Sequence, residues 1–369
     1  MTKDKFSFGL STKLFFGENC VLENEEVLTK LGKKAMIVTG KNSARKTGAL
    51  DHVLNVFLKH GIISVLFDEV ESNPSLETVR KAADIARCSG VEFVVGIGGG
   101  SPLDAAKAIA VLAGNPDMDA LELFTNQFTK ALPIVGIPTT SGTGSEMTPY
   151  SVILRNDVKT KVSFGNAYTY PAYAFVDPGY TYELGEKYTV STCIDAFTHV
   201  FEGYLANRST PVTDSFALLG IEIFGRVLKR LKTFDLDKEI RKEMSLLSVL
   251  GGIVISQAGV TIPHGMGYCY TYFKGIPHGL ANGLIFEEYL KLNCEVANNK
   301  IGNAMKCMGY ESVAEFIKDF KAVVGKPPVL TEEEIRLYTK QTLMQKGSIA
   351  NTPYPVDEEV IYQLWKNIK

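Results

Sequence analysis

Short apolar runs alternate with helical patterns through the first half of the chain, and this alternation restricts the fold more than any other feature. KAMIVTG, ISVLF, FVVGIGGG and LPIVGIPTT read as buried strands, and HVLNVFLKH, LETVRKAADIARC and SPLDAAKAIAVLA between them read as helices. Strand and helix repeated in this way call for a parallel sheet with helices over both faces. YSVILRN and KTKVSFG, joined through a polar turn at Asn156, Asp157 and Val158, read as a hairpin, and YAFVDP as a last strand closed by proline.

After about residue 186 the strand patterns stop and long helical ones take over, beginning with TVSTCIDAFTHVFEGYLA. The expected fold class is therefore an α/β dinucleotide-binding domain over residues 1–185 followed by an all-α domain over 186–369, with a cleft between them as the place for chemistry. A chain of 369 residues, 45% of them hydrophobic, is long enough for two such cores. Thr331 to Glu334 and Asp357 to Glu359 read as acidic helix starts.

Composition removes several classes of function. A formal charge of −2 with interspersed signs supplies no basic stripe for a phosphate backbone, so nucleic acid is not an expected partner. SLLSVLGGIVISQAG, the longest apolar tract, falls short of the ~20 residues a membrane span needs and reads as a core helix. The first residues carry no secretory pattern, and the six scattered cysteines form no CxxC pair, which fits reduced thiols and a cytoplasmic location. Cys193 and Cys269 lie near candidate ligands but out of phase with them.

Those candidates are three of the five histidines and one aspartate. Asp195 and His199 lie one turn apart on one helix face, while His264 and His278 each sit between a proline and a glycine. One carboxylate with three imidazoles and no thiolate suits a catalytic divalent transition metal better than a structural zinc. Glu202 continues the same face at seven residues from Asp195. It could orient a metal histidine, although an ion pair on the helix surface is the expected account.

Two loops suit a dinucleotide. Gly98, Gly99 and Gly100 lead from a strand into a helix for which Ser101 is the expected N-cap and Pro102 the first residue, so backbone N–H groups and the helix dipole face any pyrophosphate there. Thr139, Thr140, Thr143 and Ser145 in PTTSGTGSE follow a second buried strand and offer hydroxyls to phosphate, ribose or carboxamide.

GGGSPLDAAKA, PTTSGTGSE, DAFTHVFEGY and PHGMGY followed by PHGLANG, in this order and spacing, resemble the iron-containing alcohol dehydrogenases over nearly the whole chain. The resemblance implies a dehydroquinate synthase-like fold, ferrous iron held by Asp195, His199, His264 and His278, and a homodimer. It also implies cofactor contacts from Gly98 to Ser101 with Asp104, from Thr139, Thr140 and Thr143, from Lys161, and from Asn73 near the adenosine. Many members carry a further histidine where this chain has Tyr268, which could pass a proton to solvent or could simply pack.

Members preferring NAD commonly have an aspartate where this chain has Gly40. Gly40 followed by Lys41, Asn42 and Ser43, with Arg45 and Lys46 beyond, leaves room and positive charge for a 2′-phosphate, so NADP(H) is favoured over NAD(H). The alternative is a solvated basic loop. The implied reaction is hydride transfer between a small primary alcohol or aldehyde and the nicotinamide. Zn²⁺ is the alternative metal. Rival readings are an NAD-dependent glycerol or diol dehydrogenase, a dehydroquinate synthase-like lyase, and an NADP-binding redox sensor with a structural metal. The lyase would need several cations near its substrate, and the helical half offers only Lys274 near the ligands.

Overall fold

The computed structural model describes residues 5–368, which form two compact units. One contains Leu10–Thr140 and Gly144–Leu184. The other contains residues 185–368 together with Ser141–Thr143 and residues 5–9.

The first unit holds every strand found among the described residues: β1 (Lys13–Phe16), β2 (Lys34–Thr39), β3 (Ile63–Phe67), β4 (Phe93–Gly98), β5 (Ile134–Pro138), β6 (Ser151–Arg155), β7 (Thr160–Phe164) and β8 (Tyr173–Val176). Six form a parallel sheet in the order β1-β8-β5-β4-β2-β3, and β6 pairs with β7 as the expected antiparallel hairpin. Central strands β4 and β5 are buried at every residue, as continuous apolar runs covered on both faces should be. The helices of this unit are α1 (Cys20–Glu23), α2 (Glu26–Thr29), α3 (Ser43–Lys46), α4 (Ala49–His60), α5 (Leu76–Ser89) and α6 (Gly100–Gly114).

From β2 the chain moves outward to β3, then returns past β2 to β4 and continues to β5 on the other side. The loops after β2 and β4 thus flank the point where strand order reverses, the usual place for a nucleotide in such sheets. One expected detail differs. The N-cap of α6 is Gly99 and the helix starts at Gly100, so Ser101 lies in the first turn and Pro102 one position further on. Glycine makes this turn because Gly98 has φ +150°, and a Cβ there would stand 2.6 Å from Pro102 Cγ. Ser101 is left to accept a hydrogen bond from the Asn73 backbone N–H at 3.0 Å.

The second unit is helical among its described residues: α7 (Glu186–Leu205), α8 (Pro211–Leu231), α9 (Lys238–Ala258), α10 (Ile262–Lys274), α11 (His278–Met308), α12 (Val313–Val324), α13 (Glu332–Leu343), α14 (Lys346–Asn351) and α15 (Glu358–Asn367). Local chemistry fixes several starts. Thr210 with Thr213 and Thr331 with Glu334 form capping boxes at the starts of α8 and α13, and Asp237, Ser312 and Asp357 cap α9, α12 and α15 by accepting from a backbone N–H in the first turn. α7 is buried without a break from Cys193 to Leu205, and Phe197 on it stacks on Phe224 of α8 at 3.9 Å. The SLLSVLGGIVISQ tract lies in α9 and is largely buried; no single helix among the described residues is long and apolar enough to cross a membrane.

Candidate metal centre and nucleotide loops

α7 carries Asp195 and His199 on one face, 3% and 5% exposed. His264 lies in the first turn of α10 after Pro263, and His278 is the first residue of α11 after Pro277. Proline is tolerated in both places because the first N–H groups of a helix have no partner within it. The result is two imidazoles delivered from helix N-termini to the Asp195 face of α7.

Gly279 lets α11 approach. A Cβ at this position would overlap the Ser191 carbonyl oxygen and stand 2.8 Å from Asp195 Cβ. Backbone contact, rather than side-chain packing, therefore sets the distance between His278 and Asp195.

One ligand atom each from Asp195, His199 and His264 falls within 4.8 Å of the others. His264 Nε2 is 3.7 Å from Asp195 Oδ1, and His278 Nε2, at the edge of the group, is 3.9 Å from the same oxygen. These separations are too long for hydrogen bonds and suit donors placed around an ion with bonds of about 2.0–2.2 Å. Nδ1 of His199 and Nε2 of His264 are buried and find no hydrogen-bond partner among the described residues. Buried polar atoms are seldom left so, and the donor set fits a divalent transition metal.

The electrostatics point the same way. Burial alone would raise Asp195, but the facing imidazoles of His199, His278 and His264 hold it far below the usual carboxylate range. Burial pushes His199 down to about 4 despite Asp195 beside it. His264 goes the other way, to about 9, because Glu202 and Asp195 outweigh its burial. Two buried carboxylates thus draw positive charge to the point where an ion would sit.

Sequence patterning misplaced one neighbour and missed another. Glu202 makes no surface ion pair; its side chain is fully buried, because α7 is enclosed on all faces here. It accepts from His264 Nδ1 at 2.6 Å and from the N–H and hydroxyl of Thr261 at 2.8 and 2.9 Å. Asn282, also fully buried, donates to Asp195. Its position one turn after His278 was the available signal. Tyr268 stacks on the His278 ring, with centroids 5.4 Å apart and planes 18° from parallel. Cys193 and Cys269 are buried thiols outside the ligand group; burial raises both, Cys269 to about 12.

In the other unit, the Gly98 to Ser101 loop and the residues after β5 are tied together by the Thr139 N–H, which donates to the Gly98 carbonyl at 2.8 Å. Thr140 lies 3.4 Å from where a Gly99 Cβ would stand, and the buried Thr139 hydroxyl finds no partner among the described residues. Asn73 adjoins this loop in a left-handed conformation, φ 61°. Thr143 groups with the helical unit, so the threonines of PTTSGTG are divided between the two.

Asp104 is engaged internally. It accepts from Ser145 Oγ at 2.6 Å and from the Val152 N–H at 3.0 Å, with Lys107 Nζ at 3.8 Å. Lys161 is buried in β7, where its charge acts on Asp104. Gly40 directly follows β2, the neighbour of β4; Lys41 and Asn42 are exposed, Ser43 half-buried, and Arg45 pairs with Asp68 at 3.5 Å.

Comparison with known proteins accords with this arrangement. The family model for iron-containing alcohol dehydrogenase matches residues 11–178, and that for the Fe-containing alcohol dehydrogenase family, C-terminal, matches 189–368. The chain belongs to the iron-containing alcohol dehydrogenase family. It is similar to the NADPH-dependent butanol dehydrogenase of Clostridium saccharobutylicum, 32% identical over 88% of this chain and 86% of that one. The crystal structure of an iron-containing alcohol dehydrogenase from Thermotoga maritima is 36% identical, covers 99% of both chains and superposes with a TM-score of 0.92. NADH-dependent butanol dehydrogenase A from the same organism is 26% identical over 99% of this chain and 98% of that one, with a TM-score of 0.86. Family membership brings iron, a nicotinamide cofactor and oxidoreduction of alcohols and aldehydes.

Proposed function

We propose that this chain interconverts a small primary alcohol and its aldehyde with NADP(H), using ferrous iron held by Asp195, His199, His264 and His278. The observation that carries the metal assignment is the convergence of Asp195, His199 and His264, with His278 Nε2 3.9 Å from Asp195 at its edge and two buried ring nitrogens left unpartnered. When bound, the ion supplies Lewis acidity that lowers the pKa of an alcohol oxygen.

The chain's own residues do the rest. Asp195 would provide one negative charge and the histidines neutral donors, which would leave about one positive charge on a divalent ion held there. Gly98 to Ser101 turn backbone N–H groups and the start of α6 toward a pyrophosphate. Thr139, Thr140 and Thr143 offer hydroxyls to the cofactor. Gly40 and Lys41 support the phosphorylated coenzyme, since no carboxylate stands after β2 to repel a 2′-phosphate. Tyr268 serves to hold the His278 ring through its stack. Asn73, Asp104 and Lys161 are assigned to the cofactor by family likeness, Asp104 through the hairpin it anchors. The assembly we infer is a homodimer.

The test is an anaerobic assay of metal-stripped protein with butyraldehyde, adding back Fe²⁺ or Zn²⁺ and offering NADPH or NADH. Iron-dependent oxidation of NADPH is expected. Equal rates without metal would overturn the metal assignment, and faster NADH oxidation would overturn that of the coenzyme.

A further inference from the structure

We infer that Glu202 is a positioning residue for His264: it accepts the Nδ1 proton of that imidazole and so presents the Nε2 lone pair to the ion. The inference rests on the proposed role of Asp195, His199, His264 and His278 as metal ligands. Glu202 itself lies too far along α7 to be one of them, two turns from Asp195 and bonded to the far side of the His264 ring.

The geometry leaves each oxygen of Glu202 a separate task. Oε1 faces His264 Nδ1 at 2.6 Å, and a carboxylate there can only accept, so Nδ1 carries the hydrogen. Oε2 accepts twice from Thr261, through its N–H at 2.8 Å and its hydroxyl at 2.9 Å. Thr261 Oγ1 is in turn 3.0 Å from the Tyr289 hydroxyl of α11, so Glu202 is tied to the start of α10 directly and to α11 through Thr261. Its side chain is fully buried, and the only ion pair it makes among the described residues is with His264. The other ring nitrogen, Nε2, is left buried and unbonded, 3.7 Å from Asp195 Oδ1. Hydrogen bonding at one ring nitrogen determines what the other can do, and a carboxylate in this place fixes ring direction and strengthens the donor.

Glutamine has the same shape but cannot perform both tasks. If its oxygen faces Thr261, its NH₂ meets Nδ1 and drives the ring hydrogen to Nε2, where the ion should be. If its oxygen faces His264, its NH₂ opposes the Thr261 N–H. Glu202→Gln therefore separates the tautomer role from simple support of the start of α10.

The experiment uses the full chain stripped of metal. Affinities for Zn²⁺ and Co²⁺ are measured by competition with a chelator for the native protein and Glu202→Gln, alongside melting of both metal-free forms. Expected is a loss of affinity of about 10–100-fold in the variant, beyond any change in metal-free melting. Native-like affinity in Glu202→Gln overturns the inference, and so does a loss wholly matched by metal-free instability. Should the variant fail to fold, ¹H–¹⁵N correlation of the native Zn²⁺-loaded protein decides: hydrogen on Nδ1 of His264 supports the inference, and metal on Nδ1 overturns it. Native protein that binds neither ion overturns the ligand assignment itself, a different result from native binding undisturbed by Glu202→Gln.

Discussion

Asn282 donates from Nδ2 to Asp195 Oδ1 at 3.2 Å, and the same amide nitrogen is 3.4 Å from His278 Nε2. One buried amide thus touches two of the four candidate ligands from within α11. Asn282→Leu keeps the branched shape, though not the volume, and removes the donor. We expect roughly tenfold weaker metal binding, within the range for residues that support ligands, and a loss of about 1–3 kcal/mol in stability. Chelator competition and denaturant unfolding measure the two.

Metal should also stabilise the folded chain, because the ligand cluster exists only when α7, α10 and α11 are assembled. At a free ion concentration 100 times Kd the gain is about 2.7 kcal/mol. Melting curves with increasing Zn²⁺ should climb steadily, and His264→Ala should flatten that climb. An unchanged Tm across the native titration would count against a metal site.

For coenzyme choice the informative variant is Gly40→Asp. A carboxylate about 4 Å from a 2′-phosphate costs about 4 kcal/mol at an effective dielectric near 20, so kcat/KM for NADPH should fall at least about tenfold while that for NADH holds or rises. The new Cβ would stand 3.2 Å from the Val70 carbonyl, a tight contact that melting should report separately. A fall shared equally by both coenzymes would mean that the position does not read the phosphate.

Tyr268 separates ring from hydroxyl. If its stack on His278 is what matters, Tyr268→Phe should keep kcat within about twofold and Tyr268→Ala should lose about tenfold, of the order of one aromatic contact. A large loss in Tyr268→Phe would instead assign the hydroxyl a part in moving the proton.

Glu146 predicts a pH effect outside the metal centre. Burial raises its carboxyl to about 7, partly offset by Lys107, and neither oxygen finds a hydrogen-bond partner among the described residues. With an ordinary value near 4.5 when unfolded, the folded chain binds more protons between about pH 4.5 and 7. The contribution of Glu146 to stability is therefore full below 4.5 and is lost as pH rises through 7. Glu146→Gln should gain on the native protein by about 1–3 kcal/mol between pH 4.5 and 8. Denaturant melts at the two pH values check the sign.

The sheet was legible because its central strands are apolar at every position, a pattern that parallel strands between two helical layers produce. The candidate cluster was legible because a helix puts Asp195 and His199 one turn apart, and because proline and glycine bracket His264, which the fold brings to them. What escaped was decided by tertiary enclosure. Glu202 and Asn282 are polar residues on helices, and periodicity marks a helix face without saying whether another helix covers it. Ser101 has ordinary capping chemistry, but glycines before it let α6 begin two residues sooner. The grouping of Ser141–Thr143 with the helical unit follows from contacts distant in sequence, such as Ser141 Oγ to Ser245 Oγ at 2.9 Å.

Gly279 gives the centre a particular tolerance to evolutionary change. Since main chain meets main chain there, exchanging aromatic residues of α10 other than Tyr268, which stacks on His278, leaves the gauge between His278 and Asp195 fixed. Sequence drift on that helix can proceed while the spacing of the two candidate ligands persists, provided that one position never acquires a side chain.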